Sequence, residues 1–145
     1  MTRRASRWIA ITVSASLAAV FVFVATTWAA LESSGVVVVE TQSIDTDSLR
    51  QTHVWFVEHD GRLCLEAGHP DNGWVRDLAS QQTLRIVGGR LDGDYRFSID
   101  ASAEAHREIR DWMRAKYGWR DVWIGLLFDT SRSQRVVLER DFSTR

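Results

Sequence analysis

The sequence predicts an α+β chain: a mostly antiparallel β-barrel or half-barrel with helices packed at its openings, preceded by one N-terminal transmembrane helix. Three observations carry this. Residues 8–31 hold no charged side chain. About six short runs after them read as strands, most joined by turns short enough for hairpins. Only two or three segments in that part have helical spacing. The chain therefore divides into residues 1–31, a basic N-terminus and membrane anchor, and residues 32–145, one folded domain.

Charge follows the same division. The 145 residues carry 18 Lys plus Arg and 19 Asp plus Glu, a net charge of −1. In residues 1–31 the only charged side chains are Arg3, Arg4 and Arg7. The other 114 residues hold 15 basic and 19 acidic side chains, a net of −4. Such a body offers no nucleic-acid face. The single cysteine, Cys64, excludes an intramolecular disulfide and a multi-cysteine zinc site. Of the basic residues only Lys116 is a lysine, which we read as a base-composition bias.

The apolar head spans roughly 36 Å as a helix, enough to cross a hydrocarbon core of about 30 Å. Trp8 and Trp28 fall near its ends, where interfacial aromatics belong. A cleaved signal peptide is the competing reading, with Thr27-Trp28-Ala29 as its small-residue site, although the apolar stretch is long for one. The arginines precede the span and Glu32 follows it, so the positive-inside rule puts the N-terminus in the cytoplasm and the domain outside. Arg3-Arg4 also resembles a twin-arginine export pair, but Ser6 stands where an apolar residue is expected.

After a minimal linker over residues 32–34, Val36 to Val39 is a β-branched strand. Residues 43–51 are polar and turn-like. Thr52 to Glu58 is a second strand, Asp60-Gly61 a hairpin turn, and Arg62 to Ala67 the return strand, with Leu63 and Leu65 on one face and Cys64 on the other. Gly68 to Gly73 is a loop, and Asp71 or Asn72 caps a short helix from Trp74 to Ser80. Thr83 to Val87 is a strand, Gly88-Gly89 a bulge or bend, and Tyr95 to Ile99 an alternating strand. Ser102 starts a long helix that Gly118 ends. Trp119 to Phe128 fits a helix better than a strand, and Gln134 to Glu139 is the last strand.

No nucleophile elbow, zinc-protease motif or Walker loop is present. The histidines at 53, 59, 69 and 106 have no ligand spacing, so no metal site is expected. The loop from Gly68 to Trp74 is the most informative stretch. Its glycines permit close backbone approach, a helix start there would favour an anion, and His69 could donate to it. The bland alternative is a surface turn with Trp74 as a core anchor. Arg76 lies just behind the loop, and Arg50 and His53 could point toward it from the second strand. Trp112, Lys116, Trp119 and Trp123 form one stripe if the helix runs on past Gly118.

The order Arg50-x-x-His53-Val54-Trp55-Phe56, Asp-Gly turn, apolar strand, Ala67-Gly68-His69-Pro70, Trp74-x-x-Asp77-Leu78-Ala79, strand, Gly88-Gly89-Arg90, strand and long helix resembles the deazaflavin-dependent nitroreductase and quinone reductase family. These proteins belong to the flavin-reductase-like split β-barrels, and the resemblance runs from about Val36 to Glu139. It implies hydride transfer from a deazaflavin (coenzyme F-420 type) or FMN to a quinone-like or nitroaromatic acceptor. It also implies a cofactor site drawn from Arg50, His53, Trp55, Gly68, His69, Trp74 and Arg76. Tyr117 would be the catalytic residue facing the substrate, and the barrel would pair as a homodimer. The chain departs from the family in two places. His69 stands where the family has a phosphate-facing lysine, and Asp45 and Asp47 replace a basic, glycine-rich segment. A cofactor-free extracytoplasmic binding or interaction module on the same fold therefore stays open, as does a haem site using His69 or His53.

Overall fold

The structure is a computed structural model, and it describes residues 2–32 and 35–140. Ser33 and Ser34 of the expected linker lie outside the described residues, as do the side chains of Arg3, Arg4 and Arg7. One long helix, α1 (Thr2–Glu32), precedes the domain. Its Ile11–Leu31 portion is long and apolar enough to cross a membrane.

Six strands form the domain: β1 (Val36–Gln42), β2 (Leu49–His59), β3 (Arg62–Ala67), β4 (Thr83–Val87), β5 (Gly93–Asp100) and β6 (Gln134–Arg140). They close into a barrel in the order β1-β2-β3-β6-β5-β4, and every pairing is antiparallel. Closure leaves no free sheet edge. The β2–β3 hairpin turns at Asp60-Gly61, both in the left-handed region that a two-residue type I′ turn requires.

Alternation along the strands sets two cores. Val37, Val39, Val54, Phe56, Leu63 and Leu65 point into the barrel. Trp55, Val57 and Cys64 point outward and are covered by α3 (Ala103–Tyr117) through Ile109, Met113 and Tyr117. That second cover explains why Val54 to Val57 is an unbroken apolar run in an antiparallel sheet. A one-turn helix, α2 (Gly73–Asp77), and the 3₁₀ turn Leu78–Ser80 place Trp74, Val75 and Leu78 in the barrel core.

Ser102 caps α3, its hydroxyl accepting from the Ala105 N–H at 3.2 Å. Gly118 ends that helix and α4 (Trp119–Leu127) departs in a new direction. Four expectations change. β2 starts at Leu49, because Gln42 and Leu49 pair through the backbone whatever their side chains. Asn72 precedes α2 but caps it with no side-chain bond; its carbonyl accepts from Val75 and Arg76 instead. Helix α3 packs on the barrel wall rather than at an opening. Finally, the break at Gly118 scatters the Trp112–Trp123 stripe. Trp112 stacks on His59, Lys116 lies over Phe56, Trp119 is exposed and Trp123 meets Phe23 of α1.

Candidate functional site

A cavity of about 700 Å³ opens beside the first half of β2, within the usual range for small-molecule sites. Strand β2 supplies Arg50, His53, Val54 and Trp55 to its wall, and the loop into α2 supplies Gly68, His69, Gly73 and Trp74. Leu31 of α1, Arg110 of α3, and Ile124 and Phe128 at the end of α4 close the other side. Six of the residues singled out from the sequence, Arg50, His53, Trp55, Gly68, His69 and Trp74, meet here.

Arg76 and Tyr117 do not. Arg76 turns away to Asp45, at 2.6 Å. Tyr117 is 4% exposed and its ring stacks on Trp55, centroids 4.2 Å apart. Its hydroxyl donates to the Gly35 carbonyl (2.5 Å) and accepts from the Phe56 N–H (3.1 Å). Burial pushes this phenol up to about 12. It is a strut between β1, β2 and α3 that backs the cavity wall from behind Trp55.

The cationic groups of the cavity are largely committed. Asp77, 0% exposed, accepts from Arg50 Nε (2.8 Å), the Thr41 hydroxyl (2.8 Å) and the Ile44 N–H (3.1 Å). Burial works to raise the Asp77 pKa, but those hydrogen bonds and the Arg50 charge outweigh it and hold the carboxyl below its ordinary value. Arg50 also donates to Ser43 (2.9 Å) and Asp45 (3.4 Å). A Cβ at Gly73 would lie 2.7 Å from Arg50 Nη1, so a larger residue there would displace the guanidinium from this position. His69 Nδ1 accepts from the Asp71 N–H at 3.2 Å, and its Nε2 lies 3.2 Å from Arg132 Nη1.

Sequence reasoning missed a second buried charge cluster. Arg110 Nη1 bonds Glu66 and Nη2 bonds Asp121, both at 2.5 Å. The two carboxylates are 7% and 1% exposed at the side chain. Burial alone would lower the Arg110 pKa, but Glu66 and Asp121 outweigh it and hold it above the ordinary value. The cluster ties β3, α3 and α4 together at the cavity wall. Its signals were present: Glu66 lies on the outward face that Cys64 shares, and Asp121 is the one acid of α4. Among the described residues no three His, Cys, Asp or Glu side chains gather where a metal could sit.

No protein-family model matches the sequence, and no curated protein matches it. Solved structures do. The crystal structure of Rv2991, a conserved hypothetical protein from Mycobacterium tuberculosis, aligns with a TM-score of 0.53 and 15% identity over 74% of each chain. A second solved structure aligns more loosely, with a TM-score of 0.44 and 19% identity over 80% of each chain. At such identities the first likeness is one of fold.

Proposed function

We propose that this chain is a membrane-anchored barrel that binds a largely apolar ring compound, quinone-like or nitroaromatic, in the cavity beside β2. The observation that carries this is the wall itself. Trp55, Trp74, Val54, Ile124 and Phe128 form an aromatic and aliphatic slot, with Arg50 and His53 as its polar margin. The anchor contributes Leu31 to the same wall, which suits a ligand that partitions into lipid. The positive-inside pattern of Arg3, Arg4 and Arg7 supports an N-terminus in the cytoplasm and a domain outside it.

The charge arrangement argues against a phosphate-bearing cofactor. Phosphate recognition wants cations with donors to spare. Here Arg50 already bonds Asp77, Ser43 and Asp45, Arg76 bonds Asp45, and Arg110 bonds Glu66 and Asp121. Asp45 thus occupies, as an anion of the chain itself, the place where the family resemblance expects basic residues. Helix α2 is also a single turn, too short to sum a useful dipole. Reductase chemistry with a deazaflavin or FMN is the second reading, favoured by the cavity's volume and by the six residues that meet there.

Titration of the full chain in detergent with a short-chain naphthoquinone, FMN, a deazaflavin and haem, read by tryptophan quenching, separates these readings. We expect the quinone to bind and His53→Ala and Phe128→Ala to weaken it. Absence of quinone binding overturns the proposal. Tight FMN or deazaflavin binding that His69→Ala weakens returns the reductase reading.

A further inference from the structure

Helix α4 presents an apolar face that the barrel does not cover. Trp119, Val122 and Leu126 stand at helical spacing on its outer side, Leu126 76% exposed, with Leu127 and Phe128 beside them. The Arg120 guanidinium lies over the Trp119 ring, 5.7 Å from its centroid, at one end of that stripe. The helix's acid, Asp121, points the other way into the Arg110 pair, and Ile124 packs against the core under α3. A stripe of this size facing water is costly in a soluble domain.

Its neighbour identifies what covers it. Trp123 Nε1 donates to the Thr27 hydroxyl of α1 at 3.1 Å, and its ring meets Phe23 with centroids 5.7 Å apart. Both partners lie inside the apolar Ile11–Leu31 portion. Counting back from Leu31 they sit about 6 and 12 Å below its end. That depth overlaps the roughly 5–10 Å to which interfacial amphipathic helices sink their apolar faces. The last turn of α1 is also packed into the domain: Ala30 is 2% exposed and Leu31 lines the cavity. Whatever surrounds α1 therefore surrounds the outer face of α4.

We propose that α4 is an interfacial helix, lying in the boundary between lipid headgroups and acyl chains beside α1, and that this seats the mouth of the β2 cavity on the bilayer. The inference rests on the reading that α1 spans a membrane. A bilayer suits the face better than a second copy or a partner protein, because α4 adjoins α1 through Trp123, and α1 likewise exposes Phe21, Val24 and Trp28. It also deepens the proposed function. Leu31, Ile124 and Phe128 form the membrane-side rim of the cavity, so a lipid-soluble ligand enters laterally from the acyl chains and the bilayer acts as its reservoir.

Spin labels on the full chain in lipid nanodiscs test this. Single cysteines replace Val122, Leu126, Val20 of α1, and Asp60 at the β2–β3 turn. Native Cys64 is 2% exposed and burial pushes its thiol pKa up, so it is protected from the label, with the wild-type chain as the blank. Collision rates with oxygen, which favours lipid, and with a water-soluble nickel chelate report depth. We expect Val122→Cys and Leu126→Cys to favour oxygen at a shallow depth, Val20→Cys to favour it more deeply, and Asp60→Cys to favour the chelate. Chelate-accessible labels at 122 and 126 with 20 still in lipid overturn the inference and leave the anchor standing. A chelate-accessible label at 20 overturns the anchor and the inference with it. Dipolar broadening between labels at 122 shows a second copy on the face and also overturns it.

Discussion

Removing the Arg110 guanidinium tests whether buried charge holds α4 to the domain. In Arg110→Met the side-chain stem stays, but Glu66 and Asp121 lose the cation that bridges them at 2.5 Å each. Each pair is worth several kcal/mol of gross attraction at an effective dielectric of about 20, most of it offset by desolvating three ions. What the variant leaves is Glu66 and Asp121 buried without that cation, with the exposed Arg114 at 3.6 Å from Asp121, a loss of about 3–5 kcal/mol by precedent for broken buried pairs. We therefore expect urea unfolding of the full chain in detergent, followed by tryptophan fluorescence, to show a deficit of about 3–5 kcal/mol against wild type. Adding Glu66→Gln and Asp121→Asn to Arg110→Met should recover much of the loss. A deficit below about 1 kcal/mol, or no recovery in the triple variant, refutes the reasoning.

Three further outcomes follow from the same structure. Asp77→Asn should cost about 2–4 kcal/mol at pH 7, since Arg50, Thr41 and the Ile44 N–H all lose a charged acceptor. Because the folded-state pKa of Asp77 is lowered, its contribution is complete above about pH 4 and disappears as the pH falls through the folded value, so wild type and variant should converge only in acid denaturation curves below that pH. Lys116, the only lysine, is lowered to about 8, chiefly by burial, as its ammonium packs 3.3 Å over the Phe56 ring. Acetylation of its peptide, read by mass spectrometry, should therefore reach half-maximal rate near pH 8 in the folded chain and shift to about 10.4 in urea. Tyr117→Phe should cost about 1–2 kcal/mol of stability through its lost backbone hydrogen bonds, with ring-ligand affinity unchanged; lost affinity at full stability would restore the hydroxyl to a functional role.

Local rules made most elements legible. The Asp60-Gly61 turn, the Ser102 cap and the Gly118 stop each depend on residues within a few positions, and alternation along Arg62–Ala67 assigned its faces correctly. Errors arose where a distant partner decided. The polar start of β2 is extended because β1 lies beside it. Arg50 lines the cavity as the sequence suggested, but its commitment to Asp77, 27 positions away, was not legible there.

By itself, then, the sequence determined the apolar head and the strand pattern, and it named six residues that line one cavity. Periodicity, turn chemistry and charge distribution are local properties. Only the tertiary structure decided which charges are already neutralised, that Tyr117 is a strut, and that α4 lies against α1. Those outcomes depend on distance and desolvation between segments far apart in the chain, such as Arg110 with Glu66 and Trp123 with Thr27. Chain closure into a barrel brings them together, and no pattern along the chain encodes that meeting.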